Sequence, residues 1–167
     1  MDLKNIPFGT SEAFNVLIEI SKGSPNKYEY DEKLQALKLD FVFKDGFTFA
    51  HNYGLIPGTL AGDGDHLDAI VLSQDSLAMG TIAVCRAIGM IELIDRGEED
   101  NKIVAIPLVD ENYKNIQSLK DLPQNWTNEA VKFYKELAIQ KNKIMEIKSF
   151  QDKERALSEL EKCQIKK

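Results

Sequence analysis

Cysteine is nearly missing from this chain. Cys85 and Cys163 lie far apart, so neither a disulfide framework nor a thiolate metal site can be read from their spacing. A long apolar run is also missing, which excludes a membrane-spanning helix of the usual length. Met1-Asp2-Leu3-Lys4-Asn5-Ile6-Pro7 lacks the apolar core of a signal peptide. Basic excess is lacking too: 21 Lys and Arg stand against 27 Asp and Glu, a net charge of −6. Such a chain gains none of the counterion-release affinity that drives nucleic-acid binding. It can bind an anion only where metal ions or a local basic cluster neutralise the charge. Repeats, low-complexity tracts and linkers are absent from the sequence. The expectation is a single domain over residues 1–167, cytoplasmic, with neither membrane nor nucleic acid as partner.

What is present is acid in an unusual place. Asp63-Gly64-Asp65-His66-Leu67-Asp68 packs three carboxylates into one short segment before the strand-like run from Ala69. Asp63 and Asp65 stand at i and i+2, on one side of an extended backbone. Carboxylates this close repel one another unless a proton or a cation lies between them. A hard divalent ion such as Mg²⁺ suits them, because it prefers oxygen ligands. The plainer alternative is a solvated acidic turn. An EF-hand loop starting at Asp63 is excluded: it needs Asp or Asn at Leu67, Gly at Asp68 and Glu at Gln74. A second acidic loop, Asp95 to Asn101, joins two strand-like runs, and two such loops make a shared metal site more plausible.

The remaining chain reads as about seven short strands followed by helices. Asn15 to Ile20 is apolar enough for a buried strand, yet it carries Glu19, which needs a partner such as a lysine. Lys27 to Asp31 alternates strictly, with Lys27 and Glu29 on one face; alone, that reads as an exposed polar face. Further strands are expected at Ala36–Phe43, at Phe47–Phe49 after the Asp45-Gly46 turn, at Ala69–Ser73, at Thr81–Ile94 with a bend near Gly89, and at Lys102–Val109. His51 to Gly58 reads as a loop from its Gly and Pro content. Trp126, Ala130, Phe133, Tyr134 and Leu137 form the stripe of an amphipathic helix, with Tyr134 and Lys135 at its border. Ser149 to Asp152 resembles a capping box opening a last helix. The pattern is an α+β domain with a small β-barrel at its centre.

Taken together, Glu19 in its strand, Lys27-Tyr28-Glu29, Asn52-Tyr53-Gly54, Asp63 to Asp68, Asp95 with Glu99 to Lys102, and Tyr134-Lys135 resemble the soluble family I inorganic pyrophosphatases. The resemblance runs from Asn5 to about Lys162. It implies a five-stranded OB-type barrel with additional strands and flanking C-terminal helices, commonly hexameric in bacteria. It also implies hydrolysis of pyrophosphate to two phosphates with Mg²⁺. By the same resemblance, Asp63, Asp68 and Asp100 hold a metal pair, Asp95 joins Asp100 on the metal arriving with substrate, and Glu19 and Glu29 act through metal-bound water. Asp65 takes the proton of the attacking water. Lys27, Lys102, Tyr53, Tyr134 and Lys135 grip phosphate oxygens.

The chain departs from that pattern at several points. Phe41 stands where the family usually has Arg, Phe49 where it has Tyr, His66 and Ala50 where it has Pro, and Arg96 where an acid is common. Losing one charge-assisted clamp costs about 1.5–3 kcal/mol, or roughly ten- to a hundredfold. Arg96 or Lys44 is the expected substitute. The alternatives are a hydrolase for another phosphoanhydride or a non-catalytic metal-binding module.

Overall fold

The computed structural model describes residues 1–166. Ten strands are present among them: β1 (Gly9–Thr10), β2 (Ala13–Ile20), β3 (Asn26–Asp31), β4 (Ala36–Val42), β5 (Asn52–Ile56), β6 (Leu67–Val71), β7 (Ile82–Asp95), β8 (Glu98–Glu99), β9 (Lys102–Pro107) and β10 (Met145–Gln151). Helices α1 (Trp126–Gln140) and α2 (Lys153–Cys163) flank β10 in the chain. Strands β2, β5, β6, β9 and β7 pair in that order, and β7 pairs back to β2, which closes a five-stranded barrel. All these pairings are antiparallel except β6 with β9, which run parallel. Among the described residues no helix is long and apolar enough to cross a membrane.

Closure depends on β7. Its 14 residues pair with β2 at one end, with β9 in the middle and with β10 at the other end. The register against β9 shifts between Ala87 and Gly89, the bend expected from the sequence. Strand alternation then sorts the side chains between two apolar clusters. Ile103 and Ala105 of β9 join Ala156, Leu160 and Cys163 of α2. Val104 and Ile106 face the other way, with Trp126, Tyr134 and Leu137 of α1.

Strands β3 and β4 stand apart as a two-stranded ribbon. Glu19 on β2 accepts a hydrogen bond from the Tyr30 N–H of β3 at 2.7 Å, so its partner is a backbone amide rather than the expected lysine. The ammonium of Met1 reaches the Gln35 carbonyl at 3.0 Å at the ribbon's tip.

Four local expectations are corrected. Asn52 to Ile56 is strand β5, not loop. Gly54 reads as a loop former, but here its missing side chain lets β5 lie against β2: a Cβ at Gly54 would meet the Leu17 carbonyl oxygen at 1.9 Å. Phe47 to Phe49 is not a strand. Phe49 exchanges backbone hydrogen bonds with Gly23 and Ser24, and these phenylalanines pack with Phe43 and Phe133. Ser149 lies within β10, a strand absent from the sequence reading, and its hydroxyl goes to Glu92. Asp152 itself caps α2, accepting from the Arg155 N–H at 3.0 Å.

Replacing Gly54 with Ala forces β2 and β5 apart. The expected loss is about 3 kcal/mol, a fall of roughly 6–12 °C in Tm. Gly62→Ala meets only Glu99 at 4.0 Å, so its Tm should stay near that of the native chain in the same calorimetric comparison.

Candidate functional site

The acidic segment before β6 is a tight turn. Ala61 donates its N–H to Asp65 O at 2.8 Å, and Asp63 Oδ1 accepts from the Asp65 N–H at 3.1 Å. Gly64 at the apex has φ +90°, which a side chain would strain. The turn delivers Asp68 into β6, and the parallel pairing of β6 with β9 aligns Asp68 with Lys102. At the other acidic loop, Arg96 and Gly97 both take positive φ and turn the chain back. That turn brings Asp100 into line beside Lys102.

Lys102 is the centre of the arrangement. It is 3% exposed, and its Nζ lies 2.5 Å from Asp68 Oδ2 and 2.7 Å from Asp100 Oδ1. The Tyr53 hydroxyl donates to the same Asp68 oxygen at 2.7 Å, and its ring centroid lies 5.5 Å from the ammonium. Burial favours losing the Lys102 proton, but the charges of Asp68 and Asp100 outweigh it and push the pKa up. Tyr134 is buried beside them, and its hydroxyl has no hydrogen-bond partner among the described residues.

The opposite wall comes from the ribbon and from the residues after α1. Lys27 ion-pairs with Glu29 and lies 3.1 Å from Asp40. Lys141 Nζ reaches the same Asp40 oxygen at 3.0 Å and sits 5.5 Å from the Phe41 ring centroid. Lys143 Nζ is 2.6 Å from Asp95, and Arg96 holds the other Asp95 oxygen at 3.1 Å. Burial works against the Asp95 charge, but these two cations hold its carboxyl below the usual range. Asp65 shows the reverse, raised by burial and by Asp63 and Asp68.

One cleft of about 520 Å³ collects nearly all the candidates. Asp63, Asp65, Asp68, Asp95, Asp100, Glu19 and Glu29 line it, together with Lys27, Lys102, Tyr53 and Tyr134. Lys135 is exposed and does not belong to its lining. Lys44 is likewise outside, whereas Arg96 lies on the rim, mostly in solvent. The residues missed from the sequence are Lys141 and Lys143, both in the lining. Their only signal is the pair of lysines two apart just beyond the helical stripe. Phe41 turns away into the aromatic cluster, and Phe49 packs on Tyr53.

The donor set suits a hard cation. Among the described residues no group of three carboxylate, imidazole or thiolate side chains stands close enough to hold a metal ion as they are. Instead a buried ammonium already occupies the space between Asp68 and Asp100 and offsets the repulsion of their charges. Every ligand candidate is an oxygen donor, as Mg²⁺ requires. His66 spends Nδ1 on the Thr59 carbonyl at 2.8 Å.

Comparison with known proteins agrees with this geometry. A family model described as inorganic pyrophosphatase matches residues 16–166. The chain is 37% identical over 164 residues to an inorganic pyrophosphatase of Synechocystis sp., covering 98% of this chain and 97% of the relative. It is similar to the crystal structure of inorganic pyrophosphatase from Thermus thermophilus, with TM-score 0.90 at 36% identity over 98% of this chain and 97% of that one. A Helicobacter pylori inorganic pyrophosphatase gives TM-score 0.89 at 31% identity, over 95% of each chain.

Glu19 supplies a test of the crowding. Burial, and then the charge of Asp68, lift its carboxyl from 4.5 to about 8. A raised acid favours its neutral form in the folded state, so its stabilisation is present at low pH and lost as pH rises towards 8. In chelator, Tm of the native chain should therefore fall more steeply than that of Glu19→Gln between about pH 5 and pH 8. Parallel curves from thermal unfolding would contradict the assignment.

Proposed function

The chain belongs to the inorganic pyrophosphatase family, and on that premise we propose that it hydrolyses pyrophosphate to two phosphates with Mg²⁺ as cofactor. The observation that carries this reading is the Lys102 ammonium clamped between Asp68 and Asp100 in a cleft ringed by further acids and lysines. Asp63, Asp68 and Asp100 would hold the metal ions, Asp95 would join Asp100 in doing so, and Glu19 and Glu29 would complete the acidic surround. Bound Mg²⁺ supplies a water of lowered pKa and screens the phosphate charge.

The chain's own residues do the rest. Asp65 takes the proton of the attacking water, and the burial and neighbouring acids that raise its pKa make it the stronger base. Lys102 and Tyr53 bind phosphate oxygens on one side of the cleft, and Lys27 binds them on the other. Tyr134 offers a buried O–H that has no other partner among the described residues. Lys141 at the cleft wall, rather than the exposed Lys135, binds phosphate oxygens, and it also supplies positive charge beside Phe41, where the family usually has Arg. Its ammonium is already fixed at the cleft wall by Asp40, so little ordering entropy is lost on binding an anion. Small phosphates are the expected partners, in the cytoplasm and without nucleic acid, which the net charge of −6 supports. Association with further copies of the chain is supported by the exposed side chains of Val109, Ile139 and Ile144.

Phosphate release from pyrophosphate with Mg²⁺ should be strong and should vanish in chelator. Asp65→Asn should lower kcat by about 10²–10⁴-fold with Mg²⁺ affinity nearly unchanged; retained turnover would remove Asp65 from the mechanism. Lys141→Ala should raise KM for pyrophosphate about tenfold, while Lys44→Ala and Lys135→Ala leave it within about twofold. Equal KM for all three would return the missing charge to another residue.

A further inference from the structure

Strand alternation at the start of β9 sends neighbouring side chains to opposite faces. Lys102 follows Val104 and Ile106 to the cleft side, and Asn101 follows Ile103 and Ala105 towards α2. At that position Ile103 and Ala105 pack apolar groups against the helix. Asn101 instead donates its side-chain N–H to Glu159 Oε1 at 3.2 Å, with 8% and 3% of the two residues exposed. A buried carboxylate is expensive unless paired. Arg155 pairs with Glu159 at 3.0 Å and Lys162 at 3.8 Å, so the network is completed from α2 itself.

The other end of the Asn101 amide reaches the backbone. Its Oδ1 accepts from the Leu93 N–H of β7 at 3.3 Å, while the Leu93 carbonyl accepts from the Asp100 N–H at 2.8 Å. Asn101 thus joins β7, β9 and α2 at the peptide that links Asp100 to Lys102. Helix α2 also holds the other acidic segment from behind. Leu60 donates its N–H to Cys163 O at 2.8 Å, and Ile165 donates to Gly58 O at 2.9 Å. Thr59, between them, accepts the Leu67 N–H at 2.9 Å as β6 begins.

We infer that Asn101 and Glu159 are positioning residues, a buried pair outside the cleft through which α2 fixes Asp100 and Lys102 relative to the Asp63–Asp68 segment. The inference rests on the reading above, in which Asp100 holds metal and Lys102 phosphate. An apolar pair at these positions could pack the helix equally well, but it would leave the Leu93 N–H without its side-chain acceptor and the Asp100–Lys102 peptide free to shift.

Manganese titration of the substrate-free protein, followed by electron paramagnetic resonance, tests this beside thermal unfolding. Asn101→Ala and Glu159→Ala should each weaken Mn²⁺ binding about tenfold, the range seen when groups supporting metal ligands are removed. The double variant should be no weaker than either single one. Glu159→Gln keeps an acceptor for Asn101 and should return affinity to within about threefold of native. Should the alanine variants not fold, the apolar pair Asn101→Leu with Glu159→Leu gives the same comparison, with weakened Mn²⁺ binding expected at near-native Tm. Lowered Tm with unchanged Mn²⁺ affinity overturns the inference, because the pair is then only structural. If the native chain neither binds Mn²⁺ nor hydrolyses pyrophosphate, the metal reading fails and this inference fails with it.

Discussion

The cleft rests on one electrostatic constraint: too many carboxylates share too little space, and a buried ammonium keeps two of them apart. Lys102 is almost wholly out of solvent and touches both Asp68 and Asp100. Removing either kind of partner from such a group leaves an uncompensated buried charge, which is far costlier than the pair itself is stabilising. The same rule recurs across the cleft. Asp95 is held by Lys143 and Arg96, and Asp40 by Lys27 and Lys141. At Glu19 burial and the charge of Asp68 outweigh the Tyr30 hydrogen bond and the charge of Lys27, and the neutral form is favoured instead. A site organised this way is poised for positive charge.

The barrel converts that constraint into geometry. Parallel pairing of β6 with β9 sets Asp68 beside Lys102 without any loop having to carry either of them. Residues on strands keep their spacing better than residues on loops, because each backbone group is held by a ladder partner. The Asp63 to Asp65 turn escapes this. Its own hydrogen bonds and its attachment to the end of α2 supply the stiffness instead.

Much of the site was legible because charge repulsion leaves a mark on sequence: acids two apart beside an apolar strand have few harmless explanations. Asp63, Asp65 and Asp68 share one cleft with Asp95 and Asp100 of the other acidic loop, and the tyrosines that only the family resemblance named line it too. What escaped reading depends on contacts between distant segments. Gly54 and Pro57 signal a loop locally, whereas the close approach of β2 that requires Gly54 is a tertiary fact. Phe47 to Phe49 alternates like a strand but is held by aromatic packing and two backbone bonds to the turn at Gly23. Tyr134 and Lys135 are neighbours in sequence, yet about 100° of helix rotation separates them, so burying one exposes the other. Lys141 and Lys143 follow the end of α1, where periodicity carries no information. The residues that the family resemblance names line one cleft, Lys135 excepted, and the physical reading explains how their charges tolerate one another.

The β3–β4 ribbon has a consequence for how the molecule comes apart. Among the described residues both of its strands pair only with each other, and it meets the rest of the molecule through the Glu19 to Tyr30 bond, the N-terminal ammonium, the Asp40 to Lys141 ion pair and side-chain packing. Lifting it away breaks few bonds and leaves the five closed strands intact. The wall that carries Lys27 and Glu29 is therefore governed by a smaller local opening energy than the global one, and its amide protons trade with solvent through that local detachment.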